Sequence, residues 1–144
     1  MTFKRHKIRE VAFQTLFAMA SDPEVDREQL YKELLPLAPQ EEVPAYLEEL
    51  VTGVSEHQAE FDQEIEGSLA AGWSLSRVEK PNLIILRLAL YEMKYVDDVP
   101  VAVAIDEALE MTKKFSDDKS RKFINGVLGH IGGPKADRKS TRLN

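Results

Sequence analysis

Apolar residues recur along this chain at three- and four-residue intervals, and no stretch alternates convincingly with period two, so the pattern predicts helices throughout. In residues 4–19, Ile8, Ala12, Leu16 and Met19 share one face, with Val11 and Thr15 beside them. Ser21-Asp22-Pro23 reads as a break and a restart, with Asp22 as N-cap and Pro23 at the first helical position. That second helix carries Leu30, Leu34 and Leu35 and ends by Pro36. Pro39-Gln40-Glu41-Glu42 opens another, in which Tyr46, Leu47, Leu50, Val51 and Val54 continue to Phe61, Ile65 and Leu69. Gly53 leaves open whether this is one kinked helix or two. Gly72-Trp73 ends the run, and residues 74–80 read as a short connecting turn.

Residues 83–95, LIILRLALYEMKY, are apolar nearly all round, which requires cover on several sides and places this helix at the centre of a packed bundle. Thirteen residues rise only about 20 Å as a helix, short of a bilayer core of ~30 Å. Arg87 stands among aliphatics. An unpaired buried cation costs several kcal/mol, so it is expected to pair with Asp106, Glu107 or Glu110 on the following helix. That helix begins at Pro100 and places Val101, Ala104, Ile105, Ala108, Met111 and Phe115 at helical spacing. Ser116-Asp117-Asp118 caps the last, with Phe123, Ile124, Val127, Leu128 and Ile131 inward and Gly132-Gly133-Pro134 as its stop.

Charge changes this picture more than composition does. The chain has 144 residues and net charge −6, unevenly spread. Residues 4–9 hold Lys4, Arg5, Lys7 and Arg9 with no acid, and residues 22–66 hold fourteen acids against two bases. Residues 113–122 hold five bases against two acids. An acidic protein with two basic clusters repels nucleic acid in general yet can hold it at one place. Cysteine is absent, which excludes disulfides and thiol chemistry and fits a reducing, cytoplasmic setting. The last eight residues, DRKSTRLN, resemble a sequencing-library adapter translated in frame and are set aside as a scar.

Catalytic chemistry is hard to assemble from these residues. His57 sits in an acidic stretch, His130 near a helix C-terminus where positive charge is favourable, and no Gly-rich phosphate loop is present. No enzyme, metal or cofactor is implied. Gly126 lies inside a helical pattern, where it costs about 1 kcal/mol against alanine unless close packing or a ligand needs the space.

Six strings in order resemble the NusB family of bacterial antitermination factors: RHKIREVAFQTLF from Arg5, LVTGV from Leu50, GWSLSR from Gly72, ILRLALYEM from Ile85, VPVAVAIDEALEMTKKF from Val99 and SRKFINGVL from Ser120. The resemblance implies an all-α, NusB-like bundle of six to seven helices in two small sub-bundles. Their expected spans are about 1–55 and 56–134 within a domain of residues 1–134, with 135–144 a disordered tail. It further implies a non-enzymatic protein that binds boxA RNA of ribosomal RNA leaders with NusE, a small-subunit ribosomal protein, and helps RNA polymerase read through terminators. Homodimers also occur in such a family.

On this reading the RNA-binding residues are Lys4, Arg5, Lys7, Arg9 and Phe17, with Lys119, Arg121, Lys122 and Phe123. The cations supply phosphate contacts, and cations at a helix N-terminus oppose its dipole, so fold stability explains them poorly. Phe123 fits both a core position and a base-stacking one. By resemblance the first and last helices lie side by side and merge the clusters, while Ser76, Arg77, Glu79 and Asn82 face NusE. Departures are Asn82-Leu83 in place of an acid and a base, Phe17 for a tyrosine, Asp106 for an asparagine, and a first cluster diluted by His6 and Ile8. The alternatives are a free-standing relative of the NusB-like domain of RNA cytosine methyltransferases and a helical protein-binding scaffold without RNA contact.

Overall fold

The apolar spacing of the first segment produces α1 (Arg5–Ser21), which buries Ile8, Val11, Ala12, Phe13 and Leu16. The computed structural model describes the backbone of residues 3–143 and the side chains of residues 3–133. Among these residues there are seven α-helices, one 3₁₀ turn and no strand. The chain divides into two compact units, Met1–Ser55 and Glu56–Asn144.

In the first unit α1 packs against α2 (Arg27–Leu34). The break between them falls one turn later than the Ser-Asp-Pro signal suggests. Asp22 is the C-cap of α1, its carboxylate accepting the Glu24 N–H at 3.0 Å, and Asp26 caps α2 by accepting from the Gln29 N–H at 3.1 Å. Both residues can cap, but only Asp26 has three residues of helix immediately after it. Tyr31 and Leu35 are the buried anchors here. Pro39 opens a turn and not a helix: Glu41 Oε1 accepts the Ala38 N–H at 2.9 Å, and α3 (Ala45–Glu56) starts only after Pro44. Arg27 of α2 donates to Glu48 of α3 at 2.6 Å.

The second helix of the pair, α4 (Gln58–Gly67), is separate from α3, and the break is at His57 and not at Gly53. Gly53 is buried inside α3, while His57 leaves helical geometry (φ −106°, ψ 14°) and stacks its ring on Tyr95, centroids 4.3 Å apart. In the second unit α5 (Lys80–Tyr95) contacts α4, α6 (Val101–Phe115) and α7 (Asp118–Leu143). Pro81 lies in its first turn, where the missing N–H has no intrahelical acceptor to lose. Ile84, Ile85, Leu86, Leu88 and Leu90 are each at most 2% exposed, and full burial of each contributes about 1.5–3 kcal/mol. No helix among the described residues is long and apolar enough to cross a membrane.

Arg87 is paired, but with Asp62 on α4 and not with the α6 acids. Its Nε donates to Asp62 Oδ1 at 2.8 Å and its Nη2 to Oδ2 at 2.9 Å. Two turns further along α5, Lys94 bridges Glu60 Oε2 at 2.7 Å and also donates to Glu64, while Tyr95 Oη donates to Glu60 Oε1 at 2.7 Å. The Lys94 hydrogen bond, helped by Tyr95 and His57 against partial desolvation, holds the Glu60 carboxyl below its ordinary range. A depressed folded pKa contributes stability that is present above the unfolded pKa and lost as pH falls through the folded one. Urea unfolding of Glu60→Gln is therefore expected to show a flatter acid limb than wild type below about pH 4.5; superimposable limbs would contradict this.

The Gly-Gly-Pro stop is overridden, because α7 continues past it to Leu143. Gly132 is buried against α5 and α6; a Cβ there would stand 2.6 Å from Met93 Cε and 3.1 Å from Val101 Cγ1, so glycine lets the helices approach closely at this point. The side chains of residues 134–144, where a disordered tail and the adapter-like scar are expected, lie outside the described residues.

Candidate nucleic-acid interface

Four cations at the start of α1 open the first candidate surface, and helical geometry separates them. Lys4, Arg5 and Lys7 are exposed, but Arg9 is only 5% exposed. It lies three and four residues before Ala12 and Phe13, on the face that α1 buries. Arg9 is thus a core-side cation and is withdrawn from the phosphate-binding set. Arg5 lies over the Tyr46 ring, 4.1 Å from its centroid, which orients its guanidinium. The first turn of α1 contains no acid and no side-chain cap, so its cations stand at the positive end of the helix dipole. Phe17 is 37% exposed, its ring 5.9 Å from that of Phe13.

The second surface is the start of α7. Lys119, Arg121 and Lys122 are all exposed, whereas Ser120 between them is 6% exposed and Ile124 is fully buried. This turn is held from beneath. Asn82 Nδ2 donates to Ser120 Oγ at 2.8 Å, and Ser116 Oγ donates to Asn82 Oδ1 at 2.7 Å. Asp117 Oδ1 accepts the Ser120 N–H at 2.8 Å, and the Ser120 hydroxyl and N–H together hold the Asp117 carboxyl below its ordinary range. A buried amide with both ends satisfied fixes the junction of α5, α6 and α7 and so aims the cations that follow.

That role removes Asn82 from the partner-facing set, since it is 4% exposed and spends its amide inside the fold. Ser76, Arg77 and Glu79 remain exposed around the 3₁₀ turn Leu75–Arg77.

Phe123 is neither wholly core nor wholly exposed. It forms part of the wall of an apolar cleft of about 310 Å³, between the segment after α4 and the outer face of α7. Opposite stands Trp73, 51% exposed, with the Arg77 guanidinium 5.6 Å from its ring centroid. In sequence Gly72-Trp73 reads as a helix end and as the start of the family-like string GWSLSR, with no partner evident for the indole. The signal for the cleft is that single tryptophan, set between Gly72 and Ser74 at a helix end. Among the described residues no group of three or more His, Cys, Asp or Glu side chains could hold a metal ion.

The sequence model of the NusB family matches residues 6–132. The transcription antitermination protein NusB of Limosilactobacillus fermentum is 98% identical over 135 residues, covering 94% of this chain and 97% of that protein. The NusB of Lactiplantibacillus plantarum is 54% identical, covering 91% and 96%. Among solved structures, NusB of T. maritima superposes with a TM-score of 0.79 at 31% identity, covering 92% of this chain and 93% of that one. A crystal structure of the antitermination factors NusB and NusE in complex with dsRNA superposes with a TM-score of 0.73 at 27% identity, covering 88% and 94%.

Proposed function

The chain belongs to the NusB family, and we propose that it acts as a transcription antitermination factor that holds boxA-type single-stranded RNA of ribosomal leader transcripts together with NusE, so that RNA polymerase reads through terminators. The observation that carries this reading is the start of α7, where three exposed cations flank a half-buried Phe123 on a turn locked by the buried Asn82 network. Lys119, Arg121 and Lys122 contact phosphates, as do Lys4, Arg5 and Lys7 on the first unit, and these contacts set affinity and register. Phe123 and Phe17 offer aromatic surface to unpaired bases, which is how single-stranded RNA is read. Ser76, Arg77 and Glu79 form the NusE-facing rim. The work is binding, not catalysis, and its place is the cytoplasm, where transcripts are made.

The L. fermentum and L. plantarum relatives carry the antitermination name, and a structural neighbour is captured with NusE and RNA, which supports the RNA reading over the scaffold alternative. The test is a binding titration of boxA RNA and of a base-shuffled control, each with and without NusE. The expected result is tighter binding of boxA than of the control, and a further gain for boxA when NusE is present. Equal affinity for both RNAs with no effect of NusE would refute the proposal.

A further inference from the structure

We propose that the cleft between Trp73 and Phe123 is a pocket for one unpaired RNA base, with Gly126 as its floor. The inference rests on the RNA-binding reading above and adds where a base is held. Leu69, Trp73, Phe123 and Val127 give the cleft apolar and aromatic walls, and Lys122 stands at its edge. Its volume, about 310 Å³, is at the small end of the range for ligand pockets.

Two features are little used by the chain's own packing. Trp73 is the most exposed of the large apolar side chains that reach solvent, the others being Phe17, Tyr95 and Val103. Gly126 sits inside α7, where glycine is the weakest helix former apart from proline. A Cβ at Gly126 would meet nothing within 4 Å, in contrast to Gly132, where it would crowd Met93 Cε and Val101 Cγ1. The chain's own packing therefore gives no reason for Gly126, while a flat group entering the cleft does. An aromatic wall stacks on any base, and the cations Lys119, Arg121 and Lys122 supply the adjoining phosphate contacts. This charge favours a nucleotide over an apolar side chain of a partner protein.

Trp73 is the single tryptophan of the chain, so its fluorescence reports on the cleft. Titration of a boxA-type RNA oligonucleotide onto the full chain should quench this emission, with the same midpoint as the anisotropy of labelled RNA. Gly126→Leu fills the floor; it should keep or raise Tm, abolish the quench and weaken RNA binding about tenfold or more. Gly126→Ala should do the same more mildly, and Trp73→Ala should weaken binding without changing its salt dependence, because stacking releases no counterion. Salt-sensitive RNA binding with unchanged Trp73 emission and wild-type affinity in Gly126→Leu would overturn the pocket and leave the RNA reading intact. Quenching by NusE alone and not by RNA would assign the cleft to the protein partner and also overturn it. Absence of RNA binding by wild type would remove both.

Discussion

Asp62→Ala is expected to destabilise the protein by about 3 kcal/mol, among the largest losses available from one side chain outside the aliphatic core. Arg87 is 13% exposed and Asp62 20%, and the fork of guanidinium on carboxylate satisfies both. Removing one partner from a buried pair costs about 3–5 kcal/mol, because the other charge stays behind unpaired. The lower end applies here, since residual exposure lets water reach the orphaned guanidinium. Against a total stability of about 5–15 kcal/mol, this is a large fraction. In thermal unfolding it corresponds to a fall in Tm of roughly 6–12 °C for a chain of this size. The double variant Asp62→Leu/Arg87→Met should recover much of the loss, because the charge is removed together with its partner. Urea and thermal melts check both; an Asp62→Ala variant within about 0.5 kcal/mol of wild type would contradict the role given to the pair.

Replacing Lys119, Arg121 and Lys122 together with alanine is expected to weaken boxA binding on the order of a hundredfold, at about 1 kcal/mol per lost charged contact. The slope of log affinity against log salt should become shallower by about 2, from a contribution of about 0.7 per phosphate on a single strand. Folding should be unaffected, since all three side chains are exposed and the buried Ser120 and Ile124 stay in place. Circular dichroism and anisotropy titration on the same sample separate the two effects. Unchanged affinity would remove the start of α7 from the interface.

The helices themselves were legible because their apolar residues repeat at helical spacing over long stretches, and that signal is local. Partner choice is not local. Arg87 could be read as needing a carboxylate, but the one it meets lies 25 residues upstream on α4, and only the packing of α4 beside α5 selects it over the acids of α6. Asn82 shows the same limit. As a polar residue at a helix start it reads as surface, and its burial follows from two serines 34 and 38 residues later. Capping was ambiguous for a different reason: Asp22 and Asp26 have the same chemistry, and where α1 stops decides which one caps α2.

Arg9 is different, because the sequence did contain the answer. Its spacing to Ala12 and Phe13 places it on the buried face, and grouping residues 4–9 by charge obscured that. The candidate site was legible as charge and only partly as shape. Lys119, Arg121 and Lys122 could be named from sequence, but the cleft between Trp73 and Phe123 joins residues 50 apart and needed the fold.

We propose RNA binding through exposed cations on both units. It is tested most directly by the salt dependence of wild-type binding to a boxA oligonucleotide, followed by anisotropy. Contacts from Lys4, Arg5, Lys7, Lys119, Arg121 and Lys122 correspond to six phosphates, and the predicted log-log slope is about −4. A slope near zero, or no binding at low salt, would contradict it.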